Sequence, residues 1–363
     1  MGITKKFACL KTRWRAWCKT NRMLEPTLSP IIAATVTLLL LVPVTRAVIS
    51  NNLHLTVSRE DDIRAHMSIR LISAPDERPA VFNLGGSSLL RAVDEDHALE
   101  QEFNNQFQFY NLTTPSQSNV ESLILLQSID LRAHDLVVMH VNISRLNTLS
   151  PLKHWICNPY FYTINPGDII AVLNEIGVPT EANPMCHITW LSRHKLLKRM
   201  ARNLLLGDEA PMYAGIYPLP LDRDREALEL RRADRLAKQA DPKFNDSWLV
   251  LHQEKAEANI ELIKRMHDYV QRRGAQFVLI DLPMNRDWFL QYHGDWFPFE
   301  QAYHELFESV RPTGIDYRDL RNMPGYSDED FYDHTHMIEQ ARKKFLPTYK
   351  AIVLEKFQES RQP

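Results

Sequence analysis

The chain has 363 residues, 44% of them hydrophobic and 24% charged, which suits one large globular domain or two smaller ones. A formal net charge of −2 leaves no global basic field and argues against a protein built on nonspecific nucleic-acid binding. No internal repeat, low-complexity tract, phosphate-binding glycine loop or nucleotide fingerprint is present.

The charge is segregated. Residues 1–25 carry seven basic side chains against Glu25 alone, and the chain beyond them is net acidic. Pro26 to Thr45 follows with no ionisable side chain over 20 residues. That length is about enough to cross a bilayer core of ~30 Å at ~1.5 Å per helical residue. The positive flank predicts a cytoplasmic N-terminus and an extracytoplasmic remainder. The segment 26–47 is expected to be a retained signal-anchor; the alternative is a cleaved signal peptide, for which Thr45-Arg46-Ala47 is a poor cleavage site. Cys9 and Cys18 fall in the basic segment, whereas Cys157 and Cys186 fall in the exported part, where a disulfide can form.

Residues 48–78 look like a stalk, and the folded domain is expected over 79–357. The first strand is Ala80 to Leu84, and it runs into Gly85-Gly86-Ser87-Ser88 before a helix to about Gln101. A second strand is expected over Phe107 to Tyr110, and Val120 to Leu131 has helical periodicity. Leu136 to Val141 is a continuous apolar run of the kind buried in parallel sheets, and it ends at Asn142.

The alternation then breaks over about 144–240, where three helices near 168–176, 187–206 and 222–240 predict a helical insertion. The middle one interleaves Arg193, Lys195, Lys198, Arg199 and Arg202 with leucines, which suits either a solvated face or anionic lipid headgroups. A helix over 250–273, capped by Gly274, leads to a strand over Gln276 to Leu282 and the loop Leu282-Pro283-Met284-Asn285-Arg286-Asp287-Trp288. A helix over about 298–311, a short strand near Gly314 to Tyr317 and a last helix from near His336 to about Phe357 complete the pattern. Strands alternating with helices predict an α/β fold on a parallel sheet.

A strand that stops at Gly-Gly and resumes as a helix turns at the carboxyl edge of such a sheet, where open α/β folds bind ligands. A serine at that turn can serve as a nucleophile if a base and its orienting partner come within reach. Asp333-His334-Thr335-His336 lies just before the last helix, so it can reach the same edge. At a spacing of three, the Asp333 carboxylate can hold the imidazole N–H of His336 while the other ring nitrogen faces the serine. Taken singly, each feature also has a structural use: a chain-reversing turn, a helix cap at Asp333, a surface histidine at His336. His334 and His336 with Asp330 and Asp333 could in principle gather a metal, but two histidines two apart on a loop are usually not ligands, and no cofactor or metal is expected. Asn111, Asn142 and Asn245 each begin a glycosylation-type triplet, a pattern common by chance.

Together, Gly86-Ser87-Ser88-Leu89 and Asp333-x-x-His336 resemble the first and last blocks of the SGNH (GDSL-type) hydrolases, with Ser87 where that family has aspartate. The resemblance covers about 78–357 and implies a flavodoxin-like three-layer fold with Ser88 as nucleophile, His336 as base and Asp333 as its partner. It also implies Asn142 and the Ser88 backbone N–H as oxyanion donors. The family's glycine block has no counterpart here, because no glycine occurs between Gly86 and Gly167; Asn111 stands in for it. Tyr110-Asn111-Leu112, Leu282-Pro283-Met284-Asn285, Trp288 and Tyr292-x-Gly294, with the single anchor, are similar to the DltD family of membrane-anchored D-alanyl transfer proteins.

That narrower resemblance implies a serine acyltransferase or esterase acting on a cell-envelope polymer. Ser87, Asn285 and Trp288 would be substrate-binding. The expected partners are the bilayer, a membrane-bound O-acyltransferase and an envelope polysaccharide or teichoic-acid-like polymer, with no nucleic acid. Two alternatives stay open: a non-catalytic scaffold that recruits the acyltransferase, and a plain carbohydrate esterase.

Overall fold

A computed structural model of the chain describes residues 77–93, 96–113, 117–127, 129–148, 201, 250–293 and 297–359. The expected span 26–47, nearly all of the stalk, Cys157 and Cys186, Asn245, Gly294 and all but a few residues of the expected insertion lie outside them. Among the described residues no helix is long and apolar enough to cross a membrane.

The chain folds as α/β. Strand β1 (Ala80–Leu84) is followed by helices α1 (Ser87–Ala92) and α2 (Asp96–Glu102), then by β2 (Gln108–Asn111) and α3 (Asn119–Gln127). Strand β3 (Leu136–His140) and the short α4 (Ile143–Leu146) precede α5 (Gln253–Arg272) and β4 (Gln276–Ile280). Helices α6 (Arg286–His293) and α7 (Phe297–Val310), β5 (Asp316–Arg318) and α8 (Glu339–Glu359) complete the described elements.

All four strand pairings are parallel, in the order β2-β1-β3-β4-β5. The central strands β1, β3 and β4 are mostly apolar because both faces are covered, whereas the edge strand β5, Asp316–Arg318, is polar and half-buried. Phe82, Leu84, Val137, Met139, Phe277 and Leu279 point to one face and pack with α3, α5 and α7. Val81, Val138, Val278 and Ile280 point to the other and pack with α1 and α8. The one polar side chain inside β1, Asn83, is wholly buried, and its Oδ1 accepts from the Tyr349 hydroxyl of α8 at 2.7 Å.

The strand order reverses direction between β1 and β3, so a crevice opens at their carboxyl ends. Three segments differ from expectation. The first helix is two, α1 closing at Val93, whose backbone N–H bonds the carbonyl of Leu89 at 3.1 Å. The loop after β4 turns into α6 at Arg286, because Asn285 Oδ1 accepts the Trp288 N–H at 3.0 Å and caps a helix there. Helix α8 begins at Glu339, which leaves His336 in the loop ahead of it.

The residues on either side of the expected insertion are fastened together. Asn147 Nδ2 donates to the Val250 carbonyl at 2.6 Å, and its Oδ1 accepts the His252 N–H at 2.8 Å. Asn259 of α5 adds a bond from Nδ2 to the Leu146 carbonyl at 2.8 Å.

Candidate active site

The turn after β1 is shaped by a close backbone approach. A Cβ built on Gly85 would lie 2.9 Å from the Cβ of His140, the last residue of β3, and φ at Gly85 is +158°. Both facts favour glycine. The Gly85 N–H is held by Gln117 Oε1 at 2.6 Å, so the turn is pinned from the neighbouring loop. Gly86 then serves as the N-cap residue of α1, and Ser87 becomes its first residue, half-buried at the carboxyl edge.

Ser87 Oγ lies 2.7 Å from His336 Nε2. On the other side of the ring, His336 Nδ1 lies 2.7 Å from Asp333 Oδ2 and 2.9 Å from Oδ1. A nitrogen that close to a carboxylate carries the proton, so Nδ1–H donates to Asp333 and Nε2 is the acceptor facing the Ser87 hydroxyl. The hydroxyl that meets the imidazole is thus that of Ser87 and not, as the family pattern implied, that of Ser88. The physical reason is the helix start: one residue on, the side chain has rotated by about 100°, and Ser88 is carried into the protein, only 6% exposed. In this chain the serine follows the glycine directly.

The loop that carries the base is closed on itself. Asp333 Oδ1 also accepts the N–H groups of Thr335 and His336, each at 2.9 Å, and its side chain is 1% exposed. Phe331 and Met337 form an antiparallel bridge, and the Tyr332 N–H bonds the His336 carbonyl at 2.8 Å. Below it, Asp330 caps Ser327 reciprocally and pairs with Lys344 Nζ at 2.6 Å. These bonds fix the carboxylate before any substrate arrives, which lets it orient the ring without reorganisation.

The other expected site residues are placed as follows. Asn142, directly after β3, caps α4: its Oδ1 accepts the Arg145 N–H at 3.0 Å, which leaves its Nδ2 as the donor end. Asn111 ends β2 opposite Asn83 and accepts from Thr113, Oγ1 at 2.6 Å and N at 3.3 Å. At 4% and 6% exposure, Asn111 and Asn142 are too buried to carry a glycan. Asn285 and Trp288 are 2% and 1% exposed, so they build the wall behind the base instead of facing a substrate as expected. Asn285 spends its side chain on Asp328, Asp333 and Trp288, and the Trp288 ring lies 5.0 Å from that of His334. His334 Nδ1 stands 3.8 Å from Asp333 Oδ1, and among the described residues no cluster of three His, Cys, Asp or Glu could hold a metal ion.

A second histidine and acid, not anticipated from the sequence, lie at the ends of β3 and β4. His140 Nε2 is 3.9 Å from Asp281 Oδ1, and both side chains are 1% exposed. Burial, with Arg145 and His336 nearby, holds the His140 imidazole well below its ordinary range, so it is neutral. Burial pushes the Asp281 carboxyl up to about 8 against the pull of Arg321. Arg145 links this floor to α3: Nη1 donates to the His140 carbonyl and Nη2 to Ser122 Oγ at 3.0 Å, while burial lowers the guanidinium to about 10 against the raising effect of Glu121. The available signal was positional, since His140 and Asp281 each end or follow an apolar run at the edge where Ser87 sits.

What the arrangement can do is pass a proton from a serine hydroxyl to an imidazole held in place by a carboxylate, beside a crevice. No protein-family model matches this chain, and no curated protein matches it.

Proposed function

We propose that the chain is a serine acyltransferase or esterase of the SGNH type, with the flavodoxin-like strand order of that fold, and that Ser87 is its nucleophile. The observation that carries the reading is the continuous relay from Ser87 Oγ through His336 to Asp333, with 2.7 Å at each step. Its position at the point where the strand order reverses supports it further.

In this reading Ser87 Oγ attacks the carbonyl carbon of an acyl ester or thioester while its proton passes to His336 Nε2. Asp333 stabilises the imidazolium that results. The tetrahedral oxyanion is met by the Ser87 N–H and Asn142 Nδ2, donors of the kind that lower such barriers most. Collapse breaks the bond to the leaving alcohol or thiol, which takes the proton from His336 and leaves the acyl group on Ser87. An acceptor hydroxyl then attacks with His336 again as base, and Ser87 regains its proton from the imidazolium as the product ester forms. A sugar hydroxyl as acceptor gives transfer; water gives hydrolysis, so transfer requires that acceptor or partner exclude water.

The basic segment 1–25 and the uncharged stretch 26–45 that follows it support a single-pass anchor over 26–47 with the catalytic domain on the extracytoplasmic side. The acceptor is then a cell-envelope polysaccharide or teichoic-acid-like polymer. The acyl group is D-alanyl if the DltD-like motifs carry their usual meaning, and a membrane-bound O-acyltransferase is the partner that supplies it. A fluorophosphonate probe tests the central claim. Covalent labelling of the wild type and its loss in Ser87→Ala supports a serine acyl enzyme; labelling that survives in Ser87→Ala overturns it.

A further inference from the structure

Asn285 belongs to none of the steps above, yet its side chain uses both donors and its acceptor on three different elements. Nδ2 donates to Asp328 Oδ1 at 2.7 Å and to the Asp333 carbonyl at 3.3 Å, and Oδ1 accepts the Trp288 N–H at the start of α6. Its backbone N–H adds a bond to the His334 carbonyl at 3.0 Å. One residue at the exit of β4 therefore grips the base-bearing loop at 333 and 334 and the short helical turn that leads into it, Asp328–Asp330. The loop closes on itself between Phe331 and Met337, but that closure does not fix its height above the sheet. Ser87 sits on a different strand exit, so the 2.7 Å between Ser87 and His336 depends on a tie between loop and sheet.

We infer that Asn285 is a positioning residue for the Ser87–His336–Asp333 relay, locked by Asp328, and that it sets the distance between base and nucleophile from the end of β4. The inference rests on the acyl-transfer reading for its kinetic test, but the tie itself can be read without activity. A shift of about 1 Å between reacting groups costs on the order of 100-fold in rate, so a tie of this kind is felt in kcat while substrate contacts are untouched.

Asn285→Asp separates this role from helix capping. Aspartate caps α6 as well as asparagine does, but it has no donor for Asp333 and sets a carboxylate against Asp328. The full-length, detergent-solubilised chain is assayed on p-nitrophenyl acetate from about pH 5 to 9, with thermal unfolding alongside. Asn285→Asp is expected to lose about 10- to 100-fold in kcat with KM unchanged. Asp328→Asn in that background restores the 285–328 donor–acceptor pair with roles reversed and should recover part of the loss, the bond to the Asp333 carbonyl staying absent. Asp328→Ala, at a half-buried position, gives a smaller loss of kcat if Asn285→Asp does not fold. A kcat within about threefold of wild type in Asn285→Asp, a loss carried by KM instead of kcat, or a double variant no better than the single one overturns the inference. If the wild type shows no Ser87-dependent hydrolysis, the acyl-transfer reading fails, and the tie is read from the low-field proton of the His336–Asp333 bond. That resonance, assigned by its loss in His336→Gln, should broaden or vanish in Asn285→Asp; a resonance unchanged in position and width overturns the tie as well.

Discussion

His336 Nε2 and Ser87 Oγ meet at 2.7 Å across 249 positions of sequence. Each is delivered by an element that ends at the same sheet edge, and each is held by backbone bonds that exist without substrate. In the proposed acyl-transfer reading this contact makes Ser87 the residue on which activity turns. Ser87→Ala is expected to lower ester hydrolysis by about 1,000-fold or more. Ser88→Ala, which removes a buried hydroxyl outside the relay, should keep kcat within a few-fold of wild type. A reversed order, with Ser88→Ala the dead variant, would show that the resting helix start is not the reactive one.

Asp333→Asn isolates the carboxylate from the loop it shapes. An amide oxygen can still accept the N–H groups of Thr335 and His336, so the loop keeps its form. The amide NH2 then faces Nδ1 and forces the proton onto Nε2, the wrong tautomer for a base. The expected loss in kcat is about 10,000-fold at neutral pH with little change in unfolding temperature. Activity within tenfold of wild type would remove Asp333 from the relay.

Asp281 gives a stability signature with a definite sign. Its carboxyl titrates near 8 in the folded chain, so at intermediate pH the folded state holds a proton that the unfolded state has released. Stability from this group is complete at low pH and is lost as pH rises to about 8. Asp281→Asn cannot lose that proton. Relative to wild type, its unfolding free energy in urea should improve by about 2 kcal/mol or more between pH 5 and pH 9. His140 acts with the opposite sign: held neutral when folded, it lowers stability as pH falls below the ordinary histidine range, and His140→Gln should relieve that. Parallel pH curves for wild type and Asp281→Asn would show that the carboxyl is ionised when folded.

Gly85→Ala places a methyl group 2.9 Å from the Cβ of His140. The expected cost is about 1–3 kcal/mol in urea unfolding. Because the clash is with the Cβ of His140, which alanine would keep, Gly85→Ala in a His140→Gly background should cost clearly less, a coupling that a double-mutant cycle measures. Equal costs in both backgrounds would assign the penalty to the backbone at φ +158° alone.

The sheet was legible because its strands are apolar on both faces, a pattern that Val137, Val138 and Met139 carry without interruption. Asp333 and His336 were legible because a spacing of three on a loop brings a carboxylate to an imidazole by local geometry. The choice between Ser87 and Ser88 was not, since it turns on where α1 begins, and two adjacent serines after two glycines leave that start open by one residue. Trp288 and Asn285 misled for a related reason: a polar and aromatic stretch after a strand reads as a binding loop until its asparagine caps a helix and its tryptophan is buried. His140 and Asp281 were hidden because their pairing needs the adjacency of β3 and β4, which spacing along the chain does not reveal.

The Asn147 fastening to Val250 and His252 has a consequence for how such a chain can change over time. One side chain joins the point where the polypeptide leaves the sheet domain to the point where it returns, so the ends of the intervening stretch stand as neighbours whatever lies between them. The two attachment points, Asn147 on one side and Val250 with His252 on the other, form a fixed socket for the sequence that links them. Lengthening, shortening or replacing that linking sequence need not disturb the alignment of Ser87, His336 and Asp333, so the relay and the segment between its supports can diverge independently.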